Sequence, residues 1–163
     1  MTPAVILAAL LRLAPWHQDH DAPEARRALL EPIAAAIAAT ARSREEAAAL
    51  VAVGWSETKF ARAVLEGHCD RMPAGSRCDH GRARGPWQVH AWCRDAWALP
   101  DGSPEAYTPA ARCVLRALRG GLQRCSSWHG AMAALLGGGG CRDFARADAY
   151  EQTMRTVLGW WSP

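Results

Sequence analysis

The sequence predicts a single all-α domain, and three observations carry that prediction. Alanine and arginine dominate the 163 residues, with one lysine, Lys59, among the 19 basic residues; alanine is the best helix former and arginine is close behind. Half of the residues are hydrophobic, enough for a chain this long to bury a core without metal or lipid and too many for a disordered one. Apolar residues recur at helical spacing along most of the chain, interrupted by proline, glycine and capping residues.

Residues 1–14 read as a first amphipathic helix. Their apolar run, 4–11, stops at Arg12, short of the ~18–20 residues a membrane span needs. It also lacks the positive start of a secretory leader; a degenerate or uncleaved export signal is the alternative for this stretch. Asp21 can cap a helix over 22–30, and Pro32 sits where a new helix can begin and continue over 33–41. Ser43 with Glu46 three residues on is a capping-box pattern, opening a long helix over 44–60. Nearly all of its faces are apolar or alanine, which predicts a central, buried helix.

The character then changes. Residues 66–86 hold four Gly, two Pro, two Cys and four Arg without helical periodicity, a loop of about twenty residues with room for a short hairpin; loops that long inside compact domains are usually functional. Helical pattern resumes over 87–97 and breaks at Pro100-Asp101-Gly102. Thr108-Pro109 reads as a cap and first-turn proline opening a helix to about Arg119. Ser126 or Ser127 caps another that runs to Leu136 and stops at the glycines 137–140, and residues 142–161 form the last helix. No repeat, linker or second domain is visible, so 1–163 is one unit: N-terminal helices over 1–34 and a core over 35–158.

Six cysteines, an even count in a small chain, suggest disulfides and an oxidising compartment. Cys69 and Cys78 bracket the long loop, Cys125 and Cys141 bracket a short helix, and Cys93 is left with Cys113. Sequential pairing is the expectation. Two alternatives stand beside it: free buried thiols, and zinc held by His68, Cys69, Cys78, Asp79 or His80. No pair of these has the two-to-four-residue gap of a zinc knuckle, and neither metal nor cofactor is expected.

The net charge is +3 and the pI about 8.7, which favours an anionic partner such as cell-wall polymer, acidic lipid or nucleic acid without choosing among them. The charge is uneven. Between Arg71 and Arg94 stand five Arg and one acid, Asp79. A cationic rim there would attract carboxylates; a solvated loop without a partner is the alternative.

Glu57 is the residue most able to carry chemistry. Its helix neighbours at three and four residues are Val53, Gly54, Phe60 and Ala61. A carboxyl on an apolar face is costly to ionise, burial raises its pKa, and a raised pKa makes a general acid near neutrality. The bland alternative is a solvated acid at a helix end, near Lys59 and Arg62.

The segment Val-Gly-Trp-Ser-Glu57-Thr-Lys-Phe60 resembles the Glu-Ser-x-Phe signature of soluble lytic transglycosylases, lysozyme-like enzymes related to goose-type lysozyme that cleave peptidoglycan. Thirty-one residues after Glu57, Gly85-Pro86-Trp87-Gln88-Val89-His90 resembles the family's Gly-Leu-Met-Gln-Ile segment, whose Gln lies in the substrate groove. Residues 128–140 are similar to the helix leading into the family's Ala-Tyr-Asn-x-Gly motif, and 149–157 to the late Tyr-Val-x-x-Val segment, whose Tyr, here Tyr150, reaches towards the catalytic Glu. The resemblance covers about residues 35–158. It implies a lysozyme-like helical domain with a long active-site loop, Glu57 as catalytic acid, and Gln88, Tyr150, Trp87 and Thr58 as substrate-binding residues. His90, two residues after Gln88, is a further substrate-binding candidate, with a structural role as the alternative.

Four departures stand out. Thr58 replaces Ser and keeps a hydroxyl. Trp87 replaces Met and adds a flat face suited to stacking on a sugar. Leu136 and Gly137 stand where the family has Tyr-Asn, and cysteines bracket the long loop. Trp92, Trp97 and Trp160 read as packing anchors, with Trp87 and Trp128 the better groove candidates. His17 and His20 fall in the N-terminal turn.

Two mechanisms share Glu57. In a transglycosylase it protonates the glycosidic oxygen between N-acetylmuramic acid and N-acetylglucosamine, then accepts the proton of the muramic C6 hydroxyl as a 1,6-anhydro ring closes. In a hydrolase a second carboxylate roughly 6.5–9.5 Å away activates water; Asp70 and Asp79 are the candidates, and Asp95 reads as a surface acid. An idle wall-binding module and a nucleic-acid binder using the Arg-rich loop are the competing classes. The expectation is a monomer acting on peptidoglycan glycan strands, without nucleic acid or stable membrane insertion. Its expected location is extracytoplasmic or phage-associated.

Overall fold

The structure, a computed structural model, describes residues 1–15, 19–68, 81–137, 140–141 and 145–162. They form eight α-helices: α1 (Pro3–Leu13), α2 (Pro23–Thr40), α3 (Arg44–Thr58), α4 (Arg62–Leu65), α5 (Arg94–Trp97), α6 (Tyr107–Cys125), α7 (Trp128–Leu136) and α8 (Ala145–Trp161). A 3-10 turn, Pro104–Ala106, precedes α6. The described residues contain no strand, only an isolated antiparallel bridge between Arg84 and Val89. The all-α class is as the sequence predicts; most of the loop with room for a short hairpin, residues 69–80, lies outside the described residues.

α3 is the central element. Ser43 Oγ accepts the Glu46 N–H at 3.2 Å, capping the first turn. The return bond of the capping box is displaced by one residue, because the Glu46 carboxylate accepts from the Arg42 N–H at 2.6 Å. The same carboxylate takes the Arg119 guanidinium of α6 at 2.7 and 2.8 Å; that bond is the main reason its pKa is lowered. Residues 47–54 are all buried, so α3 presents no wet face along its middle. Alanine and glycine make this feasible, since small side chains let α1, α2, α6 and α8 all pack on it.

α8 supplies the largest of these contacts through Ala147, Tyr150, Met154, Val157 and Trp161, spaced by three and four residues on one buried face. α1 buries Ile6, Leu7, Ala9 and Leu10, which makes the N-terminal helix part of the core.

Several boundaries differ from expectation. Pro32 does not start a helix; it lies inside α2. An interior proline costs about 3 kcal/mol, and here Leu30, Ile33, Ala34 and Ile37 are buried on either side of it, so packing holds the helix continuous. Asp21 does not cap α2. It is 7% exposed, and its carboxylate pairs with Arg62 at 2.6 Å and the fully buried Arg26 at 3.6 Å. Arg26 also bonds Asp19 at 2.9 Å and the Ala14 carbonyl at 3.0 Å, tying the N-terminal segment to α2 and α4. Buried charges require such pairing.

The helix expected over 87–97 is confined to α5, since the Arg84–Val89 bridge turns the chain back on itself before Cys93. Thr108 lies inside α6 rather than capping it, and α6 runs through Gly120 and Gly121 to Cys125. Gly121 serves a close crossing: a Cβ there would stand 2.9 Å from Ala131 Cα of α7. Ser127, not Ser126, caps α7, accepting the Gly130 N–H at 3.0 Å.

Disulfides join Cys93 to Cys113 and Cys125 to Cys141, with Cα–Cα separations of 5.7 and 5.5 Å. Both are pairs of the sequential pattern; Cys69 and Cys78 lie outside the described residues. No metal-binding cluster occurs among the described residues, and none of their helices is long and apolar enough to cross a membrane.

The Cys93–Cys113 bond closes a span of 20 residues, so replacing both cysteines by alanine lowers the unfolding free energy by about 2–4 kcal/mol. Urea denaturation under non-reducing conditions measures the difference.

Candidate active site

Glu57 is the penultimate residue of α3. The helix stops beyond it because Lys59 and Phe60 adopt left-handed conformations, φ 53° and 51°. Phe60 then folds back over Gly54, where a Cβ would stand 2.6 Å from its ring. Glycine at 54 is therefore what lets the chain reverse tightly beneath Glu57.

The Glu57 side chain is 19% exposed and opens onto a cleft of about 350 Å³. The end of α3 supplies Val53 and Glu57. The 83–92 segment supplies Gln88, His90 and Trp92, and Leu135, Leu136 and Arg146 come from α7 and α8.

Tyr150 reaches Glu57 across the helix interface, 93 positions away, and its hydroxyl donates to Glu57 Oε1. Arg146, one turn earlier on α8, donates to the same oxygen at 3.1 Å and lies 3.4 Å from the Tyr150 hydroxyl. Both donors fall on Oε1; among the described residues no hydrogen bond engages Oε2. Tyr150 is 2% exposed. Burial first, then the negative charge of Glu57, pushes its pKa up, so the phenol remains a donor.

Gln88 closes the four-residue turn inside the Arg84–Val89 bridge and has φ 46°. Its N–H and its Nε2 both donate to the Gly85 carbonyl at 3.1 Å. An amide oxygen turned towards that carbonyl would be repelled, which fixes the amide orientation and leaves Oε1 buried without a partner. An unpaired buried acceptor beside a cleft is poised for a ligand N–H or O–H.

The cleft thus brings together Glu57, Gln88, His90 and Trp87; Tyr150, expected to bind substrate, is buried and reaches the cleft only through its hydrogen bond to Glu57. Several sequence expectations are corrected. Thr58 is fully buried; its Oγ1 donates to the Gly54 and Pro86 carbonyls at 2.9 and 3.1 Å and accepts the Phe60 N–H at 3.1 Å. It joins the end of α3 to the Gln88 turn and lies outside the cleft wall. Trp87 contributes to the cleft floor, but it is 3% exposed and its indole N–H donates to the Leu50 carbonyl at 2.9 Å. With its face packed inward it anchors the turn instead of offering a stacking surface. Trp92, expected in the core, is 56% exposed at the cleft rim and takes that place. Trp128 packs against the core and is not part of the cleft wall. Asp70 and Asp79 lie outside the described residues; among those described, Glu57 is the only carboxylate lining the cleft.

Arg146 escaped sequence reasoning, although its place four residues before Tyr150 puts both on one helix face. Of the cationic stretch, Arg84 is internally engaged: it donates to the Trp97 carbonyl at 3.0 Å and lies 4.0 Å over that indole. Comparison with protein-family models, curated proteins and solved structures finds no match.

The chain has two tyrosines, and both resist ionisation. Burial pushes Tyr107 up to about 12, and its hydroxyl donates to the Leu65 carbonyl at 2.9 Å. A raised folded-state pKa means stability fully present below about pH 10, the unfolded value, and lost as pH rises through the folded one. Ultraviolet titration of the native protein therefore shows no tyrosinate step near pH 10, and both phenols titrate there once the chain is unfolded in denaturant.

Proposed function

We propose that this protein is a peptidoglycan-cleaving glycosidase of lysozyme-like fold, acting at the bond between N-acetylmuramic acid and N-acetylglucosamine by the transglycosylase route. The observation that carries the reading is that Glu57 and Gln88 line one cleft while Tyr150, from a third distant segment, hydrogen-bonds Glu57 from the buried side. Those are the three residues that the resemblance to lytic transglycosylases singles out.

The geometry suits one-acid chemistry. Tyr150 and Arg146 occupy Oε1, so Oε2 is the oxygen left to exchange protons with a substrate. In the first step the Glu57 proton passes to the glycosidic oxygen as the bond from that oxygen to muramic C1 breaks. In the second, the muramic C6 hydroxyl oxygen bonds to C1 and its proton returns to Glu57. No water is consumed, and the acid is regenerated.

Arg146 and the Tyr150 hydroxyl hold the carboxylate that exists between the steps. Gln88 Oε1, without a protein partner, is available to a sugar hydroxyl or acetamido N–H, and Trp92 offers an aromatic face at the rim. The resemblance to lytic transglycosylases is what favours this route over a two-carboxylate hydrolase using Asp70 or Asp79, both of which lie outside the described residues. Two disulfides are consistent with an extracytoplasmic setting, in the periplasm, the cell wall or a phage particle, where the protein acts as a monomer.

Turbidity clearing of purified cell walls tests the assignment. General acid–base catalysis contributes about 10²–10⁴-fold, so Glu57→Gln loses at least that much rate while keeping its helical circular dichroism. Clearing at the parent rate would remove Glu57 from the mechanism. Tyr150→Phe loses one hydrogen bond to a charged group, about 1.5–3 kcal/mol, and slows clearing about 10–100-fold.

A further inference from the structure

A second groove, of about 330 Å³, lies between α5 and α6, and Trp92 lines both it and the Glu57 cleft. The disulfide cysteines Cys93 and Cys113 line it too, which fixes the distance between its two walls. Three arginines, Arg94, Arg112 and Arg116, face one acid, Asp95. Among the described residues none of these guanidinium groups makes an ion pair or a hydrogen bond, whereas Arg26, Arg62, Arg119 and Arg146 are all paired.

Arg112 and Arg116 stand one turn apart on the same face of α6, both exposed, a like-charge arrangement that is mildly unfavourable until an anion joins it. Guanidinium forks match carboxylates in shape and charge. The groove therefore suits a flexible chain with carboxylates, entering past an aromatic face that it shares with the glycan cleft.

We propose that this groove binds the free carboxylates of the peptide stem carried by the muramic sugar in the Glu57 cleft, with Arg112 and Arg116 as the principal contacts. The inference rests on the glycosidase reading and adds a substrate requirement to it: strands with anionic stems are preferred. Continuity with the cleft through Trp92 favours a stem over a nucleic acid, whose backbone would need a longer basic track than three arginines.

Two measurements on the intact protein test this. The first compares kcat/KM on whole sacculi with that on glycan strands stripped of stems by an amidase. The Arg112→Gln/Arg116→Gln variant loses at least ten-fold more on sacculi than on stripped strands; equal losses, or none, overturn the groove and leave Glu57 untouched. The second is calorimetric binding of a soluble stem tetrapeptide and its fully amidated form. Amidation, or the double substitution, weakens binding at least ten-fold; equal affinities overturn the proposal. A single-stranded oligonucleotide binding more tightly than the tetrapeptide, through the same arginines, also overturns it. If the parent binds the tetrapeptide but cleaves neither polymer, the groove stands and the glycosidase reading falls.

Discussion

The hydrogen bond from Tyr150 to Glu57 depends on α8 lying flat along α3, and most of the site follows from that packing. α8 buries a stripe from Ala147 to Trp161, so its rotation about its own axis is set by the core. With the stripe seated, Tyr150 necessarily points at the end of α3, and Arg146, four residues earlier, stands beside it. Both donors converge on one carboxylate oxygen. The asymmetry they impose, one oxygen held and one available, is the structural origin of the proposed proton exchange.

The other half of the cleft depends on how α3 ends. A helix buried on every side can reach solvent only at its termini, and Glu57 sits where the C-terminal end emerges. The reversal through Lys59 and Phe60 needs Gly54 beneath it. Thr58 then ties this end to Pro86, and Trp87 ties the same turn to the Leu50 carbonyl. Those two bonds hold the strained Gln88 turn against the helix, at a cost of roughly 1–3 kcal/mol for a non-glycine residue in that conformation. The unpaired Gln88 amide oxygen is the site's second polarised group.

Much of this was legible in the sequence. The alanine-rich stretch after Ser43 identified α3 as central because no face of it was polar, and Glu57 stood out as an acid among apolar neighbours. Cysteine spacing alone anticipated the pairs Cys93–Cys113 and Cys125–Cys141. What escaped was set by tertiary contacts. Pro32 marked a boundary by local rules but packing carries α2 through it. Asp21 had the sequence of a cap and the environment of a buried ion pair. Trp87 and Trp92 exchanged roles because a single bridge, Arg84 to Val89, decides which indole turns inward. Neither periodicity nor composition encodes that bridge.

Mass spectrometry of the soluble fragments released from purified sacculi tests the central claim most directly. A single acid that takes its proton back from the C6 hydroxyl leaves 1,6-anhydro-muramoyl ends, and these are the products expected, absent when Glu57→Gln replaces the parent. Reducible muramic ends would mean that water is the acceptor and that a second carboxylate takes part. No released glycan at all, from folded protein, would contradict the glycosidase reading itself.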